Sequence, residues 1–308
     1  MLPNAHRTYS PRQLLVPIVL CVVIALFLGV AILALVRAQL DAARLELSMM
    51  NLKNLGHAVH NYASTYDGKL PPGVDDKHFS ALFHLLPFIG QENLYHSADR
   101  TKDSADEANA KVRSTRVKAF ESPLDPVNDK APAGGTNYFA MTGILMSIND
   151  NDGIFCRNRG EWLKMGNIPT GTSNTVLFVE MLRGDGGKKA VSVQRQHVRL
   201  EAGDLKTLKD TDGVKDFADG KNIAADRGSA WIDGRFLQST TNATRGMLDE
   251  KPDVDCGGEG GLAGVRMVGD GTHVCMADGS VRWISAKMDL VAWQEICTTV
   301  LKIGDVDW

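Results

Sequence analysis

The 308-residue sequence lacks most patterns that mark enzymes, metal sites and nucleic-acid-binding proteins. Its five cysteines form no C-x-x-C pair, so a structural zinc site has little support. There is no G-x-S-x-G motif, the nucleophile elbow of α/β-hydrolases. The net charge of −3 provides no basic field for nucleic acid. We therefore expect no nucleic-acid partner, no cofactor, no catalytic or metal site, and no enzymatic activity.

One long apolar run is present, from Leu14 to Val36, without a charged residue or a side-chain amide. At about 1.5 Å per residue it extends about 35 Å, enough to cross a hydrocarbon core of about 30 Å. The apolar core of a signal peptide is shorter, about 7–15 residues, and ends in a small-residue cleavage site that this run lacks. We predict a transmembrane helix at residues 14–36 that contacts membrane lipid.

The charges on either side of the span predict its orientation. Arg7 and Arg12 precede it without an acidic residue nearby, whereas the arginines after it are offset by Asp41 and Glu46. Positive charge favours the cytoplasmic side. We therefore expect residues 1–13 in the cytoplasm, a single pass through the inner (cytoplasmic) membrane, and a periplasmic or extracytoplasmic C-terminal domain.

Helical periodicity continues beyond the membrane. An amphipathic helix is predicted at residues 37–66, with Asn51 on its polar side and an exported domain following at residues 67–308. The apolar face of this helix is defined by Leu52, Leu55, Val59, Tyr62 and Tyr66.

The exported domain has the pattern of an α+β fold, in which helices and antiparallel strands are segregated along the chain. Asp278-Gly279 between two short β-branched segments predicts a hairpin whose two turn residues both have positive φ. The charged, glycine-containing segment 201–227 is interpreted as a surface insertion. The other predicted elements are a helix at 80–96, strands at 175–179 and 191–200, and a helix at 290–301.

Three patterns resemble ligand sites. The acidic loops 149–153 and 210–213 resemble the middle of a calcium-binding EF-hand loop but lack its first ligand and its final glutamate, so calcium binding and simple turns both remain open. His57 and His60 are three residues apart on a helix, without an indicated third ligand. Residues 258–263 fit G-x-G-x-x-A, but no strand precedes them and no helix follows, which favours a loop.

Four cysteines lie in the predicted exported part of the chain. They can form a pool for disulfide bonds or remain buried free thiols, and four cysteines allow three pairings among which the sequence does not choose. These residues are Cys156, Cys256, Cys275 and Cys297.

Several segments, in a fixed order, carry a resemblance to a known family. They are the helix end at residues 52–62 with its Leu-Pro-Pro-Gly exit, Gly171-Thr172-Ser173-Asn174-Thr175 with Glu180, the segment around Trp231, and Asp278-Gly279. The chain resembles the exported pilin-like proteins of planctomycete bacteria called domain of unknown function 1559. This resemblance implies a type IV pilin-like architecture, with a long N-terminal helix packed on a small antiparallel sheet and structural roles for the motif residues.

The chain departs from the family pattern at two places. Arg12 to Pro17 stand where family members have the prepilin peptidase site, so cleavage and pilus-type assembly by that route are not expected. Val268 stands where the family signature has a histidine, nine residues before Asp-Gly. A role that depends on that histidine is therefore not carried over.

Two functional hypotheses follow. The first is a membrane-anchored, outward-facing, pseudopilin-like structural or interaction protein, with protein partners or self-association and no catalysis. The alternative is a tethered extracytoplasmic binding module for a glycan, a peptide or a divalent cation. The alternative predicts a concave patch around Trp231, Trp283 and the acidic loops.

Overall fold

A computed structural model describes residues 11–126, 134–149, 151–157, 163–187, 191–247, 249–267 and 269–300. The chain divides into two compact units, Met1–Glu46 and Leu47–Trp308. Helix α1, Pro11–Thr65, contributes residues to both. The second unit therefore begins before the predicted domain start at residue 67, because it includes the last turns of α1.

The described part of the first unit is helical, and its side chains from Val23 to Glu46 are exposed. An 18-residue window of this helix has a mean hydropathy of 2.3, with none of its residues buried. By length and composition this helix is long and apolar enough to cross a membrane, which is a property of membrane anchors and of signal sequences. Arg7 lies outside the described residues.

The second unit contains short helices and strands joined by long loops. Its helices after α1 are α2 (Ala81–His84), α3 (Glu92–His96), α4 (Ala110–Arg113), α5 (Val214–Ala218) and α6 (Leu290–Cys297). Its strands are β1 (Tyr138–Met141), β2 (Val176–Glu180), β3 (His197–Leu200), β4 (Ile223–Ala224), β5 (Thr240–Thr241), β6 (Asp253–Cys256), β7 (Gly261–Leu262), β8 (Gly271–Met276) and β9 (Val281–Ser285).

The strands form two mixed sheets. One has the order β5-β1-β2-β8-β9 and the other the order β4-β3-β6-β7. The pairs β1–β5 and β3–β6 are parallel, and the remaining pairs are antiparallel. The α+β class is thus confirmed, but the expectation of one small antiparallel sheet is wrong, because strands from the long loops add in parallel to β1 and β3.

Strands β1 and β2 of the five-stranded sheet are buried on both faces, which explains why they are largely apolar without alternation. Tyr138 and Ala140 of β1 face the core that contains the C-terminal part of α1. Phe139 and Met141 face a second core, which contains Trp293 of α6. The register between β2 and β8 shifts within β2, as at a β-bulge.

The predicted hairpin is present as β8 and β9, but its turn differs from the prediction. Gly279 has φ of 82°, whereas Asp278 is not among the described residues with positive φ. The turn is closed by a hydrogen bond from the Met276 N–H to the Ser280 carbonyl (2.8 Å). A longer loop with a single left-handed glycine replaces the two-residue turn.

Other predicted elements are shorter than expected. The helix at 80–96 is divided into α2, a 3₁₀ turn at Leu86–Ile89 and α3, because Pro87 lacks a backbone N–H and Gly90 is left-handed (φ 75°). The strand at 191–200 is reduced to β3. The last helix ends at Cys297 because Thr298 is extended (ψ 158°). The segment 201–227 includes β4, and its last residue, Arg227, is fully buried.

The predicted apolar face of α1 forms part of the core. Leu52, Leu55 and Val59 are buried, whereas Tyr66 is 47% exposed. Asn51, predicted on the polar side, is buried. Its amide can be buried there since it donates a hydrogen bond to the Glu121 carbonyl (3.2 Å). The helix face therefore includes a polar edge that hydrophobic periodicity does not reveal.

Gly56 allows α1 to approach the β8–β9 hairpin closely. A Cβ atom at this position would lie 2.8 Å from Sγ of Cys275 and 3.0 Å from Cα of Gly279. Both distances are shorter than an ordinary van der Waals contact, and Cα of Gly279 belongs to the backbone. The absence of a side chain at Gly56 therefore determines how near the helix lies to the turn.

We expect Gly56→Ala to lower the free energy of unfolding by about 1–3 kcal/mol, because helix and hairpin must separate to admit the methyl group. Gly203→Ala is the matched control, since a Cβ there meets nothing within 4 Å. Chemical denaturation measures both variants. Equal stability of Gly56→Ala and the unchanged protein would show that the contact is loose.

Candidate functional site

A buried carboxylate lies at the end of β2. Glu180 is 8% exposed, and its Oε1 accepts hydrogen bonds from the hydroxyls of Ser48 (2.8 Å) and Ser122. Its Oε2 lies 3.4 Å from Nδ1 of His273 on β8. The carboxylate thus joins α1, the loop that contains Ser122, and two strands of the sheet.

The phenol of Tyr138 extends this cluster. Its oxygen lies 3.1 Å from Oγ of Ser48 and accepts a hydrogen bond from the amide of Asn51 (3.4 Å). Burial, and then the charge of Glu180, raises the pKa of Tyr138, which therefore stays neutral.

We define the Glu180 cluster as Ser48, Asn51, Ser122, Tyr138, Glu180 and His273. None of these residues is more than 8% exposed. A substrate therefore has no access to it, and its hydrogen bonds act in holding α1 against the sheet.

The motif residues before β2 form a turn that contacts the hairpin. Gly171 has φ of 84°, and its carbonyl accepts from the hydroxyl of Thr175 (2.9 Å). The N–H of Asp278 donates to the Thr172 carbonyl (2.9 Å), and the N–H of Ala277 donates to the Thr175 carbonyl (2.7 Å). Two motifs about a hundred residues apart in the chain are thus brought together by backbone hydrogen bonds.

The remaining predicted residues of this region have different environments. Ser173 and Asn174 are exposed within the 3₁₀ turn that precedes β2. His57 is exposed, whereas His60 is half-buried beside Gly279. The two histidines therefore have different environments, and Gly279 acts through its backbone conformation.

Trp231 does not line a surface. It is fully buried, its indole donates to the Thr115 carbonyl (2.8 Å), and its ring centroid lies 5.6 Å from that of Phe120. Trp283 on β9 is 51% exposed. The predicted concave patch around both tryptophans is therefore wrong, because Trp231 is a core residue.

In each acidic loop, a described carboxylate is engaged by protein donors. Asp152 accepts from the Ile144 N–H (2.8 Å) and from the Thr298 hydroxyl, and Asp210 forms an ion pair with Arg245 (3.3 Å). Among the residues that the structure describes, no group of three or more His, Cys, Asp and Glu side chains is arranged to hold a metal ion. The loops act as tethers between segments.

The four cysteines of the second unit are buried. Cys256, Cys275 and Cys297 carry free thiols. Burial raises the pKa of Cys256 and of Cys275 to about 12. These thiols are therefore protonated and are packed as small apolar groups.

A second group of charged side chains lines an open cleft of about 390 Å³ beside the four-stranded sheet. Its main polar residues are Arg199, Asp226, Asp233, Arg235, Gln238 and Asp255, which we call the charged cleft. Both charge signs are present, and most of the groups are paired.

Two arginines organise the charged cleft. Nη2 of Arg199 lies 2.9 and 3.0 Å from the carboxylate oxygens of Asp226, and its Nε donates to Asp255 (3.1 Å). Nη1 of Arg235 donates to Asp233 (2.7 Å). Burial raises the pKa of Asp233 and of Asp255, because removal from water disfavours their charged forms.

The charged cleft was not predicted from the sequence. Arg199 and Asp255 are direct neighbours in the parallel register of β3 and β6. They are far apart in the chain, and each lies in a strand of four residues. The available signal was that ionisable residues stand at alternate positions in both strands. This pattern indicates a charged site only once the pairing of the two strands is known.

Together these observations define an α+β protein with an apolar N-terminal helix, a buried polar tie between helix and sheet, and a charged cleft. The sequence profile of a family described as a protein of unknown function, DUF1559 (SBP_bac_10), matches residues 40–290. The chain belongs to this family, and the resemblance seen in its motifs is confirmed. Neither a search of curated proteins nor one of solved structures finds a significant match. Val268, at the position of the family histidine, lies outside the described residues.

A double-mutant cycle tests the tie between Ser48 and Glu180. We expect Glu180→Gln to cost about 1–3 kcal/mol of stability, since buried hydroxyl donors lose a charged acceptor. Combined with Ser48→Ala it should show a coupling energy of about 0.5–3 kcal/mol, measured by denaturation. Ser173→Ala, an exposed motif position, is the control and should stay within about 0.5 kcal/mol. Additive effects at Ser48 and Glu180 would contradict a direct tie.

Proposed function

We propose that the chain is a membrane-anchored, outward-facing, pseudopilin-like protein with a structural or interaction role rather than a catalytic one. In this proposal residues 14–36 cross the inner membrane once, with the N-terminus in the cytoplasm. The domain then lies on the periplasmic or extracytoplasmic side. Its partners are other proteins or further copies of the chain.

The observation that carries this proposal is that α1 is one helix of 55 residues with two kinds of surface. From Val23 to Glu46 its side chains are exposed, and most large ones are apolar. Later in the same helix, Leu52 and Leu55 belong to the core of the second unit. This division matches the stem of a pilin, which is anchored in the membrane at one end and packed in a domain at the other.

Exposed apolar residues just beyond the predicted span favour a protein partner. Leu40 is 53% exposed, and Ala43, three residues later on the same side of the helix, is also exposed, although both follow the proposed membrane segment. Arg37, Asp41 and Arg44 recur at spacings of three and four residues, so they share one side of the helix. The exposed apolar side chains beside this charged row would be removed from water by contact with another protein, which favours such a contact.

The Glu180 cluster supports a non-catalytic role for the motif residues. Its hydroxyl, phenol and carboxylate groups are buried and bonded to one another. A nucleophile would need an open approach and a base aimed at it. The arrangement is instead suited to fixing the position of the helix relative to the sheet.

Cysteine crosslinking in intact cells tests the interaction role. We expect Leu40→Cys to give dimers or larger products with a bifunctional maleimide, because Leu40 lies on the apolar side of the helix. Asp41→Cys is the matched control about 100° away around the helix, on the charged side, and should give much less product. Gel mobility followed by mass spectrometry identifies the products.

The same membranes test the anchor. After an alkaline carbonate wash the chain should remain in the pellet with Met1 or Leu2 at its N-terminus. Monomers alone at both cysteine positions would contradict the interaction role. A soluble chain that starts after the apolar run would contradict the anchor and would identify a signal sequence.

A further inference from the structure

We propose that the charged cleft binds a primary ammonium group, carried by an amino sugar or by a lysyl side chain. The cleft lies in the second unit and is separate from the Glu180 cluster. The proposal goes beyond the interaction role and does not depend on it. It rests on the charge, the hydrogen-bond pattern and the shape of the cleft.

The charge of the lining favours a cation. Three carboxylates, of Asp226, Asp233 and Asp255, face two guanidinium groups, which leaves one negative charge unmatched. The guanidinium of Arg235 also pairs with a carboxylate outside the lining, because its Nη2 lies 3.0 Å from both carboxylate oxygens of Asp103. An anionic ligand would have to displace carboxylates that already hold both arginines.

The hydrogen-bond pattern favours a ligand with donors. Asp255 accepts from the Gly258 N–H at one oxygen and from Arg199 at the other. Asp233 accepts from the backbone and the guanidinium of Arg235, again with one donor at each oxygen. An ionised carboxylate offers about four acceptor positions, so each retains acceptor capacity among the described residues. An ammonium group has three donors and no acceptor, which matches this surplus.

The shape and burial of the cleft favour a small organic cation. Its volume of about 390 Å³ falls in the range of small-molecule sites, about 300–1,000 Å³. The floor carboxylates of Asp233 and Asp255 are buried, whereas Arg199 and Asp226 at the rim are 44% and 42% exposed in their side chains. A cation placed between floor and rim would offset the burial that raises the pKa of both floor aspartates.

Calorimetric titration of the full chain in lipid nanodiscs at low salt tests this site. The probes are glucosamine and Nα-acetyl-lysinamide, each measured against its neutral counterpart, N-acetylglucosamine and Nα,Nε-diacetyl-lysinamide. We expect at least one ammonium probe to bind and its acetylated counterpart to bind at least about tenfold more weakly, as loss of a charged hydrogen-bonding group implies. The probe that binds identifies the source of the amine.

Variants assign the binding to the cleft. Asp226→Asn should weaken the ammonium probe at least about tenfold. Gln238→Glu, which adds a carboxylate to the lining, should strengthen it. Glu295→Gln is the matched control, because it removes an exposed negative charge on α6, outside the lining, and should leave binding unchanged. A melting curve of each variant establishes that it is folded.

Three results would overturn the proposal. The first is the absence of binding by both ammonium probes. The second is equal binding of the acetylated and free amines, which would mean that charge is not recognised. The third is unchanged binding in both folded cleft variants, which would place the amine elsewhere. None of these results bears on crosslinking through α1, so the two proposals fail separately.

Discussion

The structure of the second unit depends on the buried carboxylate of Glu180. A carboxylate is costly to remove from water unless donors replace the lost hydration. Here the hydroxyls of Ser48 and Ser122 supply that replacement, and His273 lies beside the second oxygen. Because the two hydroxyl donors come from a helix and a loop, whereas Glu180 lies on β2, the carboxylate gains both hydrogen bonds only when these three elements are assembled. The cluster therefore couples the position of α1 to the formation of the five-stranded sheet.

This coupling gives the motif residues a common role. The turn at Gly171 to Thr175 holds the β8–β9 hairpin by backbone hydrogen bonds, and Gly56 lets α1 approach the same hairpin closely. Glu180 then ties the same helix to the far end of β2. The positions of these motif residues are thus explained by how a long helix is fixed to a domain. In the function that we propose, this helix presents the domain at a membrane surface, and the charged cleft is the proposed ligand site of that domain.

Local features of the sequence were sufficient for part of this fold. The helix, β2 and the hairpin follow from periodicity, β-branched composition and a turn glycine, each of which acts within a few residues. The position of Asn51 was predicted wrongly, because its burial depends on the Glu121 carbonyl, seventy residues away. The four-stranded sheet and the charged cleft were missed for the same reason, since Arg199 meets Asp255 only through the pairing of two very short strands. Trp231 was placed in a surface patch by residue type alone and is instead a core residue. Tryptophan is found both in surface patches and in cores, so its type does not distinguish the two.

Native-state hydrogen exchange tests most directly whether the C-terminal part of α1 is a structural part of the domain. The amides of residues 52–59 are predicted to exchange only through global unfolding, with the same opening free energy as those of β2. Replacement of Glu180 by glutamine should lower both values together. Exchange of the helix amides orders of magnitude faster than those of β2 would contradict this account, because it would mean that α1 detaches while the sheet remains folded.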